Sequence, residues 1–228
     1  MYPKASNIGG KRLDIVMLVN GIPVIIGETK SPVRNSITWA DGAVDIQNYE
    51  QSIPQMFVTN ILNFATEGKS FRYGSISAPL TKWGPWYEGE DKSEGTLSDV
   101  ARSFKQMLRP VHIIDFMRYF SIFATDKRHR KIKIICRYQQ YEGANAIVNR
   151  VVTGFPRKGL IWHFQGSGKS LLMVFAAQKL RSHKELKNPT VVIVDDRLDL
   201  ETQITADFMN GRNLKNERNF NNYGIPSS

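Results

Sequence analysis

The run Trp162-His163-Phe164-Gln165-Gly166-Ser167-Gly168-Lys169-Ser170 constrains this chain more than any other segment, because it lies between an apolar, strand-like stretch (159–163) and a helical run, Leu171 to Leu180. Gly166 and Gly168 let the backbone bend so that successive N–H groups, that of Ser167 among them, converge on an anion. The following helix adds the positive end of its dipole. Lys169 can then reach the outer phosphates of a nucleotide and Ser170 can ligate Mg²⁺. The full pattern asks for another glycine at 163, where this chain has His163. What remains is the Gly-x-Gly-Lys-Ser core of helicase-type motors. A strand, a phosphate loop and a helix in that order predict an α/β fold.

Composition narrows the partners. The formal charge of +10, from 31 basic residues against 21 acidic ones, suits a polyanion such as nucleic acid. A hydrophobic content of 41% over 228 residues is enough for one large domain or two small ones. The single cysteine, Cys136, excludes an internal disulfide framework and any cysteine-based zinc site. The four histidines (112, 129, 163 and 183) are too scattered for a ligand cluster. The most apolar stretches, 15–26 and 111–124, are broken by Asn20, Gly21 and Pro23 and by Asp115 and Arg118, so neither spans a bilayer. With no signal peptide in view, a cytoplasmic location is expected.

Along the chain, two β-rich runs, Leu13 to Leu18 and Pro23 to Lys30, flank Asn20-Gly21, and a helix is predicted over Thr38 to Gln51 with Trp39, Ala43, Ile46 and Tyr49 inward. Strands are expected at Gln55 to Asn60 and Phe71 to Ser75, and helices at Leu97 to Leu108 and His112 to Ala124. The texture changes at the basic run Lys127 to Lys131, which divides the chain into 1–126 and 127–228. The second part reads as a strand at Lys133 to Cys136, a helix at Ala144 to Val152, a strand at Gly159 to His163, the phosphate loop with its helix, and a strand at Thr190 to Val194.

The first part carries separate chemistry. Asp14 lies early in the first strand and Glu28-Thr29-Lys30 closes the second. Two carboxylates can hold a hard cation such as Mg²⁺, which polarises a phosphodiester and acidifies a bound water, while a lysine steadies that water or the developing charge. Glu28 and Lys30 share a strand face because side chains alternate. Asp14 joins them only under an odd offset. A two-residue turn at Asn20-Gly21 would give paired residue numbers summing to 41 and set Asp14 against Gly27. A three-residue loop, Val19 to Gly21, or a bulge at Gly27 would restore the alignment.

The string Arg12-Leu13-Asp14-Ile15-Val16-Met17-Leu18-Val19-Asn20-Gly21-Ile22-Pro23, followed by Glu28-Thr29-Lys30-Ser31-Pro32, closely resembles the nuclease domain of the restriction (motor) subunit of type I restriction-modification enzymes. The resemblance continues through Tyr49, Ile53 to Phe57, Arg137 to Tyr141, the phosphate loop and Ile193 to Leu200. It implies a restriction-endonuclease-like, PD-(D/E)xK mixed sheet with flanking helices over 1–126, then the beginning of a RecA-like helicase lobe over 127–228. It implies Mg²⁺ and ATP as cofactors, and as partners double-stranded DNA and the modification and specificity subunits. Asp14 and Glu28 match the family's metal ligands, Lys30 its catalytic lysine, and Leu13 replaces its usual proline. Tyr49 matches the tyrosine of a Gln-x-x-x-Tyr motif whose glutamine position holds Asp45, with Gln47 two residues away. Gln140 matches an adenine-reading glutamine, against a plain exposed helix start, and Asp196, Arg197 and Gln203 match a motor segment.

The resemblance further implies an Asp-Glu pair and a second-lobe arginine for hydrolysis. After Ser170 only 58 residues remain and neither is among them, so a fragment without ATPase activity of its own is expected. A RecB-type repair helicase-nuclease is the alternative enzyme, although there the nuclease usually follows the motor. A non-catalytic DNA-binding or docking module is the alternative outside enzymes.

Overall fold

The computed structural model describes residues 11–34, 36–125 and 131–194. The basic run from Lys127 to Arg130 and the segment holding Asp196, Arg197 and Gln203 lie outside the described residues. Strands β1 (Ile15–Val19), β2 (Ile22–Thr29), β3 (Leu62–Thr66) and β4 (Phe71–Gly74) form a mixed sheet in that order. The β1–β2 and β3–β4 pairs are antiparallel, and β2–β3 is parallel through the crossover helix α1 (Trp39–Ser52). Helices α2 (Leu97–Met107) and α3 (Pro110–Arg118) follow, then a hairpin of β5 (Ser121–Thr125) and β6 (Lys131–Ile135), then α4 (Tyr138–Thr153) and α5 (Lys169–Arg181).

Each helix start has a local cause. Thr38 and Asp41 form a reciprocal capping box on α1, and Thr96 with Asp99 does the same on α2. Pro110 opens α3, where its missing N–H costs nothing.

The sheet has two dissimilar faces. On one, α1 presses Ala43 and Ile46 onto Ile26 and Ala65. On the other, Ile25, Leu62 and Phe64 join a larger cluster that includes Trp86, Phe116, Phe120, Tyr141 and Phe175, and so reaches α3, α4 and α5. Phe120 lies 4.6 Å from Tyr141 and 5.7 Å from Phe175 between ring centroids, offset geometries that add to simple burial. The side chains of Tyr73 and Ser75 donate to the Cys136 and Lys133 carbonyls at 2.7 and 2.6 Å, fastening β6 beside the β4 end of the sheet.

Several elements differ from expectation. Residues 55–60 form no strand: Pro54 starts a short 3₁₀ turn over Pro54–Phe57, and the strand is β3, one turn later. β3 is buried throughout, so it lacks the alternation that marks a half-exposed strand. Its Asn63 is satisfied by Glu50 and Asn60 at 3.1 and 2.8 Å. The apolar run 112–124 is a helix only to Arg118. Beyond it Ile122 and Ala124 face inward while Phe123 faces outward, the period of β5. Helix α4 begins six residues earlier than expected, at Tyr138. The strands expected at 159–163 and 190–194 do not form: neither segment has regular secondary structure or a ladder among the described residues, with Trp162 88% and Val194 91% exposed. One strand of the β5–β6 hairpin lies on each side of residue 126.

Candidate functional site

The end of β2 gathers most of the acid and lysine residues singled out above. Asn20 and Gly21 have φ of 51° and 80°, a two-residue turn of the primed kind that matches strand twist. Near this turn the register sums to 41, with Val19 facing Ile22. Between Met17 and Leu18 it shifts, so that Met17 faces Ile25 and Val24 is left extra. From there the register sums to 42 as far as Ile15–Gly27, and the same parity continued one step assigns Asp14, in a bend just before β1, to Glu28. The odd offset exists, but through a bulge at Val24 rather than a three-residue loop or a bulge at Gly27. Gly27 has a different reason to be glycine: a Cβ there would lie 2.1 Å from the Phe64 ring.

Glu28 shares the face of Ile26 and lies under α1. A Cβ on Gly42 would lie 3.4 Å from Glu28 Cγ and 3.3 Å from Ala65 Cβ, so the absence of a side chain at 42 lets the helix close over the acid. Asp45 and Tyr49 follow on the same helical stripe. The Glu28 side chain is 6% exposed; its Oε1 accepts from Lys30 Nζ at 3.0 Å, and its Oε2 is buried without a partner. Lys30 Nζ also donates to Asp45 Oδ2 at 2.5 Å. Asp14 is exposed, and its Oδ2 accepts from the backbone N–H and hydroxyl of Thr29 at 3.0 and 2.9 Å. The Tyr49 hydroxyl donates to the Arg12 carbonyl at 3.2 Å. Gln47, the displaced glutamine, donates to the Ala78 carbonyl and lies outside this cluster.

Charge within the cluster is unevenly settled. Burial pushes the Glu28 carboxyl above its ordinary range, Lys30 draws it back, and the neighbouring charges of Asp14 and Asp45 push it up again. Burial alone would weaken the Lys30 ammonium, but its hydrogen bonds to Asp45 and Glu28 prevail and hold it well above the usual lysine range. Burial, then the Glu28 and Asp45 charges, raise the Tyr49 phenol. Among the described residues no group of three or more His, Cys, Asp or Glu side chains is placed to hold a metal ion. A hard cation nevertheless fits the donors present, since Glu28 offers a buried carboxyl oxygen that no donor among the described residues satisfies.

The phosphate loop is built differently. Gly166 and Gly168 both adopt φ of 80°, where a side chain would be strained. Lys169 Nζ donates to the His163 and Phe164 carbonyls at 3.1 Å each, folding the loop onto its own lysine. Ser167 is buried and its hydroxyl lacks a partner among the described residues, whereas Ser170 is half-buried on the first turn of α5. Gln140 is 2% exposed, not a solvated helix start. Its Nε2 donates to the Ser167 and Gly168 carbonyls at 3.2 and 3.0 Å, and its Oε1 accepts from the Arg137 N–H at 2.8 Å. A Cβ on Gly168 would lie 2.3 Å from that Nε2.

A polar joint that sequence reading missed lies behind the loop helix. Lys179 of α5 donates to Asp115 of α3 at 2.6 Å and to Asn145 of α4 at 2.8 Å, and the Tyr141 hydroxyl donates to Asp115 at 2.9 Å. No local pattern marks these residues, which are up to 64 positions apart.

Comparison with known proteins agrees with both regions. Residues 4–82 match the family model for the type I restriction enzyme R protein N terminus, and residues 139–223 match that for the SWI2/SNF2 ATPase. The Haemophilus influenzae type I restriction enzyme HindI endonuclease subunit is 36% identical over 92% of this chain and 21% of its own length. The putative MjaVIIIP endonuclease subunit of Methanocaldococcus jannaschii is 30% identical over 86% and 19%. The SsaAORF53P endonuclease subunit of Staphylococcus saprophyticus is 28% identical over 86% and 20%. The chain thus spans about a fifth of the length of these relatives. No helix among the described residues is long and apolar enough to cross a membrane. With 92% of its length aligned to one such subunit and its first 80 residues or so matching their N-terminal model, the chain belongs to the endonuclease-subunit (R) family of type I restriction enzymes.

Proposed function

We propose that this chain contributes a metal-dependent nuclease site for double-stranded DNA and the nucleotide-gripping start of an ATP-driven translocase. In this reading 1–126 is a PD-(D/E)xK nuclease domain and 127–228 begins a RecA-like lobe, the two sharing the β5–β6 hairpin as their joint. The observation that carries it is the buried, unpartnered Glu28 Oε2 at a strand end that also presents Lys30 and, through the Val24 bulge, Asp14. Glu28 and Asp14 would hold Mg²⁺, which supplies Lewis acidity and an acidified water. Lys30 contributes fixed positive charge where a phosphodiester gains negative charge, and Tyr49 lines the same face for DNA. The Asp14 carboxylate must turn from Thr29 to take part.

At the second site the N–H groups of Gly166, Ser167 and Gly168 and the start of α5 would take the phosphates of ATP. Lys169 would exchange its two carbonyl partners for phosphate oxygens, and Ser170 would ligate Mg²⁺. Gln140 holds the loop from behind, and any adenine contact requires its amide to leave the loop carbonyls. The modification and specificity subunits are the proposed protein partners, and DNA is the polyanion that the +10 charge attracts.

Mn²⁺-dependent thermal stabilisation tests the metal site: it is expected in the wild type and absent in Asp14→Ala. Equal stabilisation of both would assign the effect to adventitious surface binding. Nucleotide titration tests the loop: weak ATP or ADP binding lost in Lys169→Ala is expected, and binding that survives the substitution would remove the loop from the account. Robust DNA-stimulated ATP hydrolysis by these 228 residues would contradict the expectation of a motor start without turnover.

A further inference from the structure

Lys30 has two carboxylate partners on two different elements, and they differ in what else they can do. Glu28 lies in the sheet, buried, with one oxygen on Lys30 and one left over. Asp45 lies on α1, its side chain 41% exposed, and carries the shorter of the two contacts, 2.5 Å against 3.0 Å. The contact depends on how closely α1 approaches: with no side chain at Gly42 the helix settles over Glu28, and Asp45, three residues on, meets the ammonium.

A divalent cation seated on Glu28 brings positive charge against the Lys30 ammonium, whose displacement into low dielectric would be unfavourable unless an anion stayed with it. Asp45 is that anion. The glutamine expected at this position by family resemblance would offer a dipole where this chain offers a full charge. Nor does Asp45 stand as a third ligand, since no triad of acids is placed for one among the described residues.

We propose that Asp45 is a positioning residue which retains Lys30 at the site when Glu28 turns its charge to a divalent cation, so that the lysine and the metal occupy the cluster together. The inference rests on the metal-site reading above. Lys30 is then a fixed cation rather than a proton acceptor, and Asp45 acts only through it.

The test is a double-mutant cycle read by Mn²⁺ titration of the whole chain, using calorimetry or the Mn²⁺ spin signal, with unfolding followed in parallel. Asp45→Asn is expected to weaken Mn²⁺ binding about tenfold, the lower end of what partners of metal ligands contribute. Asp45→Glu is expected to retain most of the affinity. In a Lys30→Met background the same Asp45→Asn change is expected to alter affinity less than about twofold, the residue of a solvent-screened charge. An Asp45→Asn chain that folds and binds Mn²⁺ as the wild type does would overturn the inference while leaving the metal site intact. A tenfold loss that persists without Lys30 would make Asp45 a direct ligand and overturn the positioning role. Wild-type Mn²⁺ binding indifferent to both Asp14→Ala and Glu28→Gln would remove the metal site, and this inference with it.

Discussion

The two candidate sites are held in opposite ways. The acid–lysine cluster sits on backbone that is paired on both sides, β2 lying between β1 and β3, with α1 closing over it at Gly42. Its side chains inherit their positions from register. The phosphate loop has no ladder on either flank among the described residues and is held from behind, by Gln140 on its carbonyls and by the packing of α5. Substitutions in the sheet should therefore cost stability and site together, whereas loop substitutions should separate the two.

The largest effect on stability should come from neither site but from the joint behind the loop helix. Lys179 and Asp115 have side chains 17% and 15% exposed, so Lys179→Met leaves a carboxylate largely desolvated and should destabilise by about 3 kcal/mol in urea unfolding. Pairing it with Asp115→Leu should return much of that loss, and additivity of the two would break the view that α3 and α5 share one joint. Next, Gly27→Val drives a branched side chain into the Phe64 ring and should destabilise by about 2 kcal/mol while abolishing Mn²⁺ stabilisation. Gly166→Val meets open space but a strained φ, and should cost about 1 kcal/mol while abolishing nucleotide binding. Equal costs in stability for the Gly27 and Gly166 changes would dissolve the contrast between the sites.

The smallest effect is electrostatic. Because the folded-state pKa of Glu28 is raised, the folded chain binds more protons than the unfolded one just above the ordinary value of 4.5, and stability contributed by this group falls as pH rises through that window. Without metal, Glu28→Gln should therefore be more stable than the wild type near neutral pH, the advantage shrinking below about pH 4.5. A mutant less stable at neutral pH would mean that the Lys30 pair outweighs burial.

Much of this was legible in the residues. Asn20-Gly21 marked the hairpin, apolar spacing marked the helices from Thr38 and Leu97, and Gly166 to Ser170 marked the loop. Parity alone exposed the need for an odd offset between Asp14 and Glu28, but its place could not be read, because Val24 looks like any other core residue and its tertiary partner is remote in sequence: the Val24 carbonyl accepts from the N–H of Ile61, just before β3, at 2.7 Å. β3 was missed because full burial erases alternation and Asn63 resembles a turn residue until Glu50 and Asn60 satisfy it. The strands at 159–163 and 190–194 were over-read for the converse reason: apolar composition permits a strand, but only a neighbouring ladder makes one. Asp45 was visible as a departure from the family motif, yet its contact with Lys30 needed the Gly42 approach to be seen.

The central claim is that the unsatisfied oxygen of Glu28 is the seat of a divalent cation. Anomalous diffraction from crystals grown with Mn²⁺ tests it most directly. The account predicts a peak about 2.1 Å from Glu28 Oε2, with Asp14 turned from Thr29 toward it and Lys30 still on Asp45. Ordered Mn²⁺ elsewhere on the chain, with Glu28 Oε2 bare and Asp14 still on Thr29, would contradict it.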